Sequence, residues 1–544
     1  MIRGLWQDLT ADDSRRCVTS HQPPSPESRH DGLLAPVSGI GRGIAWRYAG
    51  QAVSAVGGLF LVAFAFRRLG ASTYGGYALV VTVLGLLGTV NYGFNMSVVR
   101  AAASDNPSFS PEETAQARRD VQVANSAYGV MGGIAVLISV ASIPALITVR
   151  SRNAGNTYAL PITVGLVGLS VGLSLATSAY TGLPTGRRQF HVPAIAGILG
   201  VTVNIAVVVA MLGWLGLPAL GLGLVANALV NTVFPAAWLK LREPWFHLLP
   251  GRVRWTEVRR VGSFALPLLV ISVYGQVIAA TDLVVVGAVA TAAAVAFYKV
   301  GSLAPTQAVS WLFNGYDTIF PYLAASRDKS DQEAATLFLT RIASYVTGSA
   351  FCTMALLRAD VVTVLIGHRT VLAEEVFLVF CGVWLVNIPV HGLMLLLIAR
   401  GRQSVFIPLV AAEAFANLAL TVVFAIVLGP IGAALATLVT VVVTNVIVLP
   451  VLVRKEFISM TSWRIAGNGL ACCGIGGAVA AAAVVPVLAL GPGWTRIVAG
   501  FGAAGAAGAF AGLLLLGSRG RETFLTMLRR PITPHEVEDA AHEA

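Results

Sequence analysis

The sequence predicts an all-α polytopic membrane protein. It should hold about fourteen transmembrane helices: two six-helix lobes related by a pseudo-twofold axis along the membrane normal, plus two C-terminal helices. Three observations predict this. The chain of 544 residues is 56% hydrophobic and only 12% charged, whereas a soluble protein carries about 25% charged residues. Apolar runs of about twenty residues, the length that crosses a bilayer, recur along the whole chain. Two stretches about 214 residues apart repeat the same landmarks in the same order.

Taken in order, residues 1–42 are polar and rich in Pro, Ser and Arg, without the apolar centre of a signal peptide. Their composition predicts a disordered cytoplasmic tail. Apolar segments then run at about 44–66, 75–99, 121–149, 159–181, 191–212, 217–239, 262–287, 294–323, 341–365, 373–398, 404–428, 431–452, 465–489 and 496–516, followed by a charged tail, 517–544. Connections are short, the longest being about 240–261. The domains expected are therefore an N-lobe at 43–243, a C-lobe at 244–456, and two added helices at 457–516.

Charge sets the orientation. The net charge of +11 comes from 33 arginines and 4 lysines. With both termini placed in the cytoplasm, inside segments hold 29 of these cations and outside loops hold 7, including Arg67, Arg68 and Arg369. Lys299 alone lies within a span. Such a bias predicts N-in, C-in with an even number of crossings. The basic balance thus reflects topology and gives no reason to expect nucleic acid as a partner. Cys17, Cys352, Cys381, Cys472 and Cys473 show no disulfide or zinc spacing and read as small core residues.

The repeat pairs GRRQFHVPAIAG, from residue 186, with GRQSVFIPLVAA, from residue 401. Each copy continues through a mid-helix Asn (Asn204, Asn417), a Gly/Pro turn, a later Asn (Asn231, Asn445), a Pro (Pro235, Pro450) and a basic–acidic end. Six crossings return the chain to its starting side, so two such copies point the same way across the membrane.

Polar stripes mark which segments face the interior. In FYKVGSLAPTQAVSWLFNGYDTIFP (297–321), Lys299, Ser302, Thr306, Ser310, Asn314 and Asp317 follow at steps of three or four and share one helical face. Ionisable groups in hydrocarbon cost roughly 2.5–3.5 kcal/mol each, so such a face turns to protein or water. Segment 1 carries Arg47, Gln51, Ser54 and Gly58; segment 2 carries Thr82, Gly85, Thr89, Tyr92 and Asn95 and ends near Arg100; segment 7 carries Ser272, Gln276, Ala279 and Asp282. A cavity between the lobes, lined mainly by segments 1, 2, 7 and 8, follows. Each residue also has a bland reading. Arg47 can snorkel to the interface, Arg67 and Arg68 can anchor a helix end, and Asp282 and Lys299 can pair structurally across segments 7 and 8. Asp317 and Arg100 lie near the inner ends. Glu413 shares a face with Asn417, and Asn387 with His391; the histidine can relay protons or simply pack.

With that architecture reached, the chain resembles the polysaccharide biosynthesis flippases of Wzx type, within the multidrug/oligosaccharidyl-lipid/polysaccharide exporter superfamily. FAFRRLGASTYGGYALV (64–80), NYGFNMSVVRAAA (91–103), ATDLVVVGAVATAAAVAFYKVG (280–301) and the GRQ opening segment 11 carry the likeness, which covers about 40–455. The resemblance implies alternating access and a lipid-linked sugar substrate, with cavity cations holding its pyrophosphate. Arg47, Lys299 and Arg100 match that role, and Gln51, Asn95 and Asn314 complete the expected substrate-binding set. No cofactor is implied; the expected partners are the lipid-linked sugar, membrane lipids and other polysaccharide-assembly proteins.

Two other functions compete. A cation-coupled multidrug efflux transporter of the same superfamily would use acidic residues, for which Asp282, Asp317 and Glu413 are the candidates. A membrane polysaccharide polymerase or ligase would need an external catalytic region, and the outer loops are short, with no carboxylate pair or His cluster. There is no GxxxxGK[ST] loop, so ATP hydrolysis by this chain is not expected.

Overall fold

A computed structural model describes residues 38–515, apart from 90–94, 96, 103–109, 151–158, 188, 326–328, 401, 403–404 and 459–460. The tail 517–544 and all of 1–42 before residue 38 lie outside the described residues. Among the described residues the secondary structure is helical, with no strand. The first run comprises α1 (Ser38–Leu69), α2 (Ala71–Gly85), α3 (Pro111–Arg150), α4 (Ala159–Ala176) with its continuation α4′ (Ala179–Gly186), α5 (His191–Leu215) and α6 (Leu217–Arg242). The second comprises α7 (Trp255–Val289), α8 (Ala292–Ala325), α9 (Lys329–Leu356) with α9′ (Arg358–Ile366), α10 (Val371–Ala399), α11 (Phe406–Leu428) and α12 (Pro430–Val441). A π-helical turn, Val442–Val448, extends α12 into α12′ (Leu449–Val453). Two more helices follow, α13 (Ser462–Val484) and α14 (Trp494–Leu515).

Among the described residues ten helices are long and apolar enough to cross a membrane, and eleven if α9 and α9′, bent by 64°, count as one span. The expected fourteen is therefore not reached among the described residues; α2, for example, is only 15 residues long. Several helices also begin earlier than their apolar windows. Hydropathy registers only the part in lipid, while the water-side turns are held by caps. At α3 the Ser110 N–H donates to Glu113 at 2.9 Å and the Glu113 N–H donates to Ser110 Oγ at 3.2 Å, a capping box.

The repeat is visible in matching local geometry. Gly216 between α5 and α6 (φ 62°, ψ −131°) and Gly429 between α11 and α12 (φ 70°, ψ −154°) share a backbone conformation essentially confined to glycine. Each copy is also closed by an ion pair between its opening Arg and its terminal Glu: Arg187–Glu243 at 2.5 Å and Arg402–Glu456 at 2.7 Å.

The ends of the bundle are held differently. At the end where α1 finishes, here the far end, Gly75 of α2 lies so close to α8 that a Cβ would fall 1.7 Å from the Ala292 carbonyl oxygen. Small residues allow this backbone approach, which is how helices associate in lipid. Phe66 packs on Phe297 at 5.8 Å, and Arg67 donates to the Val364 carbonyl. At the near end the link 243–254 has no regular structure, so its backbone groups need partners. Side chains of α3 supply them: Gln122 and Asn125 donate to the His247 carbonyl at 2.9 and 3.0 Å, and Ser126 accepts from the Gly251 N–H at 2.9 Å. Tyr180 donates to Leu248 O at 2.7 Å. Arg119–Glu257 and Arg260–Asp120 then pin the start of α7 to α3.

Candidate functional site: a polar seam and a buried carboxylate

α1 and α8 run alongside each other. Tyr48 meets Trp311 edge-on at 6.4 Å, Gln51 donates to Ser310 Oγ at 2.7 Å, and Gln307 lies opposite Gly58. The polar stripe of α8 thus turns toward α1 at Ser310. Lys299 lies three turns from Ser310 on the same face and is half-buried. Among the described residues it has no carboxylate within ion-pair distance.

Asp282 is not that partner. It is 3% exposed and inside the second run of helices. Tyr298 Oη and Thr437 Oγ1 donate to its Oδ2, both at 2.8 Å, and Thr421 Oγ1 donates to its Oδ1 at 3.1 Å. Asn417, fully buried, donates to Thr437 at 2.9 Å, while its own Oδ1 finds no hydrogen-bond partner among the described residues. The structural pairing of Asp282 with Lys299 is replaced by Asp282 with Tyr298. A helix advances about 100° per residue, so neighbours 298 and 299 point to different surroundings. This chamber of carboxylate, hydroxyl and amide oxygens between α7, α8, α11 and α12 has the donor set of a hard-cation site. Among the described residues no group of three or more His, Cys, Asp or Glu is placed to hold a metal ion.

The other expected residues are scattered. Asn95 is half-buried against Gly182 of α4′, and its Oδ1 is without a partner among the described residues. Arg100 is exposed and lines a near-end cleft of about 670 Å³ with Glu112, Glu113, Asp120 and Arg260. Glu413 is buried one turn from Asn417 and accepts a 3.4 Å contact from Asn445. Arg47 lies on α1 and Asn314 and Asp317 on α8, but their side chains lie outside the described residues, as do Thr89 and Tyr92. Sequence reasoning missed Tyr298, Thr421 and Thr437. The signal available was the i, i+4, i+8 run Glu413, Asn417, Thr421 on α11, which is polar along a strongly apolar helix.

A polytopic bundle with a polar seam and a buried, oxygen-lined carboxylate defines a multi-pass membrane transporter. Residues 40–327, more than half of the chain, match the sequence profile of the family described as polysaccharide biosynthesis protein, and the chain belongs to that family. No curated protein matches it by sequence. Among solved structures it is similar to an inward-facing multidrug resistance MATE family transporter of the MOP superfamily (14% identity, 75% of this chain and 96% of that one, TM-score 0.60). It is also similar to the lipid II flippase MurJ in an inward closed conformation (14%, 87% and 99%, TM-score 0.58). A third likeness is to a MOP superfamily transporter from Pyrococcus furiosus (14%, 77% and 96%, TM-score 0.54). At such identity these likenesses establish the fold: that of the MOP-superfamily transporters.

Proposed function

We propose that the protein is a flippase that moves a lipid-linked oligosaccharide, of undecaprenyl-pyrophosphate type, across the cytoplasmic membrane for cell-surface polysaccharide assembly. It works by alternating access of two lobes, 43–243 and 244–456, with 457–516 as added helices. The near end, with both termini, faces the cytoplasm. The observation that carries this reading is Lys299: a half-buried amine on the polar stripe of α8 that, among the described residues, has no carboxylate within ion-pair distance. A cation held in an apolar bundle is stable only when an anion arrives or water reaches it. A sugar pyrophosphate supplies that anion while its lipid tail stays in the bilayer. Gln51 and Ser310, already joined across the seam, offer hydrogen bonds to the sugar. Arg100 in the near-end cleft meets the head group first, and Arg47, Asn95 and Asn314 belong to the same path. Asp282, with its ring of hydroxyls, takes the coupling cation.

In cells that depend on this protein for surface polysaccharide, Lys299→Ala abolishes export while the protein reaches the membrane at the normal level. Surface glycan is read with a lectin and the stalled lipid-linked precursor by extraction. Normal glycan with no precursor build-up removes Lys299 from the mechanism. Glycan unaffected by deleting the gene, with drug susceptibility raised, establishes the efflux function in place of this one.

A further inference from the structure

The two copies of the repeat differ in chemistry at equivalent places. On α11, Glu413 stands one turn before Asn417; on α5 the residue one turn before Asn204 is Gly200. A Cβ at Gly200 would fall 2.2 Å from Asn227 Oδ1 and 2.4 Å from Asn231 Nδ2, so Asn231 faces a glycine where Asn445 faces a carboxylate. Gly223 faces Asn204, where Thr437 bonds Asn417. The first copy keeps both asparagines without the acid; the second places the acid between them.

Glu413 sits in an environment made for something positive. It is 6% exposed, with Asn445 donating toward its Oε1 at 3.4 Å and Thr444 beside it. Among the described residues no Lys or Arg pairs with it. Asn445, 3% exposed, also donates to Asn387 Oδ1 at 3.3 Å, and its own Oδ1 accepts nothing among the described residues. A buried acceptor left without a donor has lost its water and gained nothing in return, a deficit that a bound cation removes. The π-helical turn Val442–Val448 shifts the helix register at this place, and Asn445 within it reaches Glu413. Single π turns recur at functional positions. Glu413 lies on the same face of α11 as Asn417, about 6 Å nearer the near end by helical rise.

We propose that Glu413, with Asn445 and Asn387, is a second oxygen-lined site for a sodium ion, and that the ion reaches and leaves Asp282 through it, between α11 and α12. This rests on the reading of Asp282 as the coupling site. The half that carries both acids is the half that handles the ion, and the first half, with Gly200 in place of Glu413, does not.

The test is sodium-22 binding and washout on the full-length protein in lipid nanodiscs, at constant ionic strength set with choline. Asp282→Asn abolishes saturable binding. Glu413→Gln, nearly isosteric, keeps equilibrium binding within about twofold of the wild type but slows washout by about tenfold, the scale on which groups supporting an ion site act. Asn445→Ala does the same, so a folding failure in one variant does not decide the matter. Washout at the wild-type rate in both variants, with binding still dependent on Asp282, overturns the second site and leaves the Asp282 reading standing. Wild-type protein that binds no sodium, or binding that survives Asp282→Asn, overturns the Asp282 reading and the second site with it.

Discussion

Tyr298 and Lys299 are adjacent in sequence and do opposite things. Tyr298 is buried and donates to Asp282 at 2.8 Å, while Lys299, half-buried, stays out of that chamber. The sequence announces a charged helix face but not which of two neighbouring positions enters the chamber, because that is set by the rotation of α8 against α7 and α10. At the water-side end of α7 a single residue offers a different test. Side-chain hydrogen bonds from Arg119, then the Arg254 N–H, hold the Glu257 carboxyl down at about 2. In the unfolded chain it titrates near 4.3. A depressed carboxylate stabilises the folded state above its unfolded pKa, and the contribution fades as pH falls from there toward 2. The difference in Tm between wild type and Glu257→Gln is therefore full above about pH 5 and closes as pH falls toward the folded-state value. A difference that stays constant over that range would show that Arg119 does not distinguish the charged carboxylate from the amide.

At the scale of elements, the far-end contact of α2 with α8 depends on one missing side chain. A Cβ at residue 75 runs into the Ala292 carbonyl, and overpacking of this kind costs typically 1–3 kcal/mol. Gly75→Ala accordingly pries α2 from α8. In a cysteine-free background, a cysteine placed at Ala296, fully buried in the wild type, becomes reactive to a membrane-impermeant maleimide when Gly75→Ala is added. Unchanged labelling would mean that the two helices relax without separating. The helices themselves were legible in hydropathy, since lipid satisfies no backbone group and forces helices wherever the chain crosses. Their water-side extensions were not. Ser110 with Glu113 is a readable cap, but a hydropathy window averages it away. The π turn at Val442–Val448 left no sequence signal beyond Asn445 and Pro450.

For the whole molecule, the Lys/Arg bias predicts which end faces the cytoplasm. A fluorescent protein fused at the C-terminus lights up, and alkaline phosphatase fused after Leu215 or Leu428 is active; an active phosphatase at the C-terminus would invert the topology. By itself the sequence determined the membrane class, the helical architecture, the repeat and the polar stripe of α8. Each is a one-dimensional property: composition, periodicity or spacing along a single chain. The tertiary structure decided which polar groups meet. It strapped the 243–254 link to α3, closed α2 on α8 through Gly75, and drew Asp282, Tyr298, Asn417, Thr421 and Thr437 from four helices into one chamber. These meetings depend on helix rotation and depth relative to several neighbours at once. No spacing within one helix encodes that, so the sequence found Asp282 and Glu413 as charges, and packing gave them their partners.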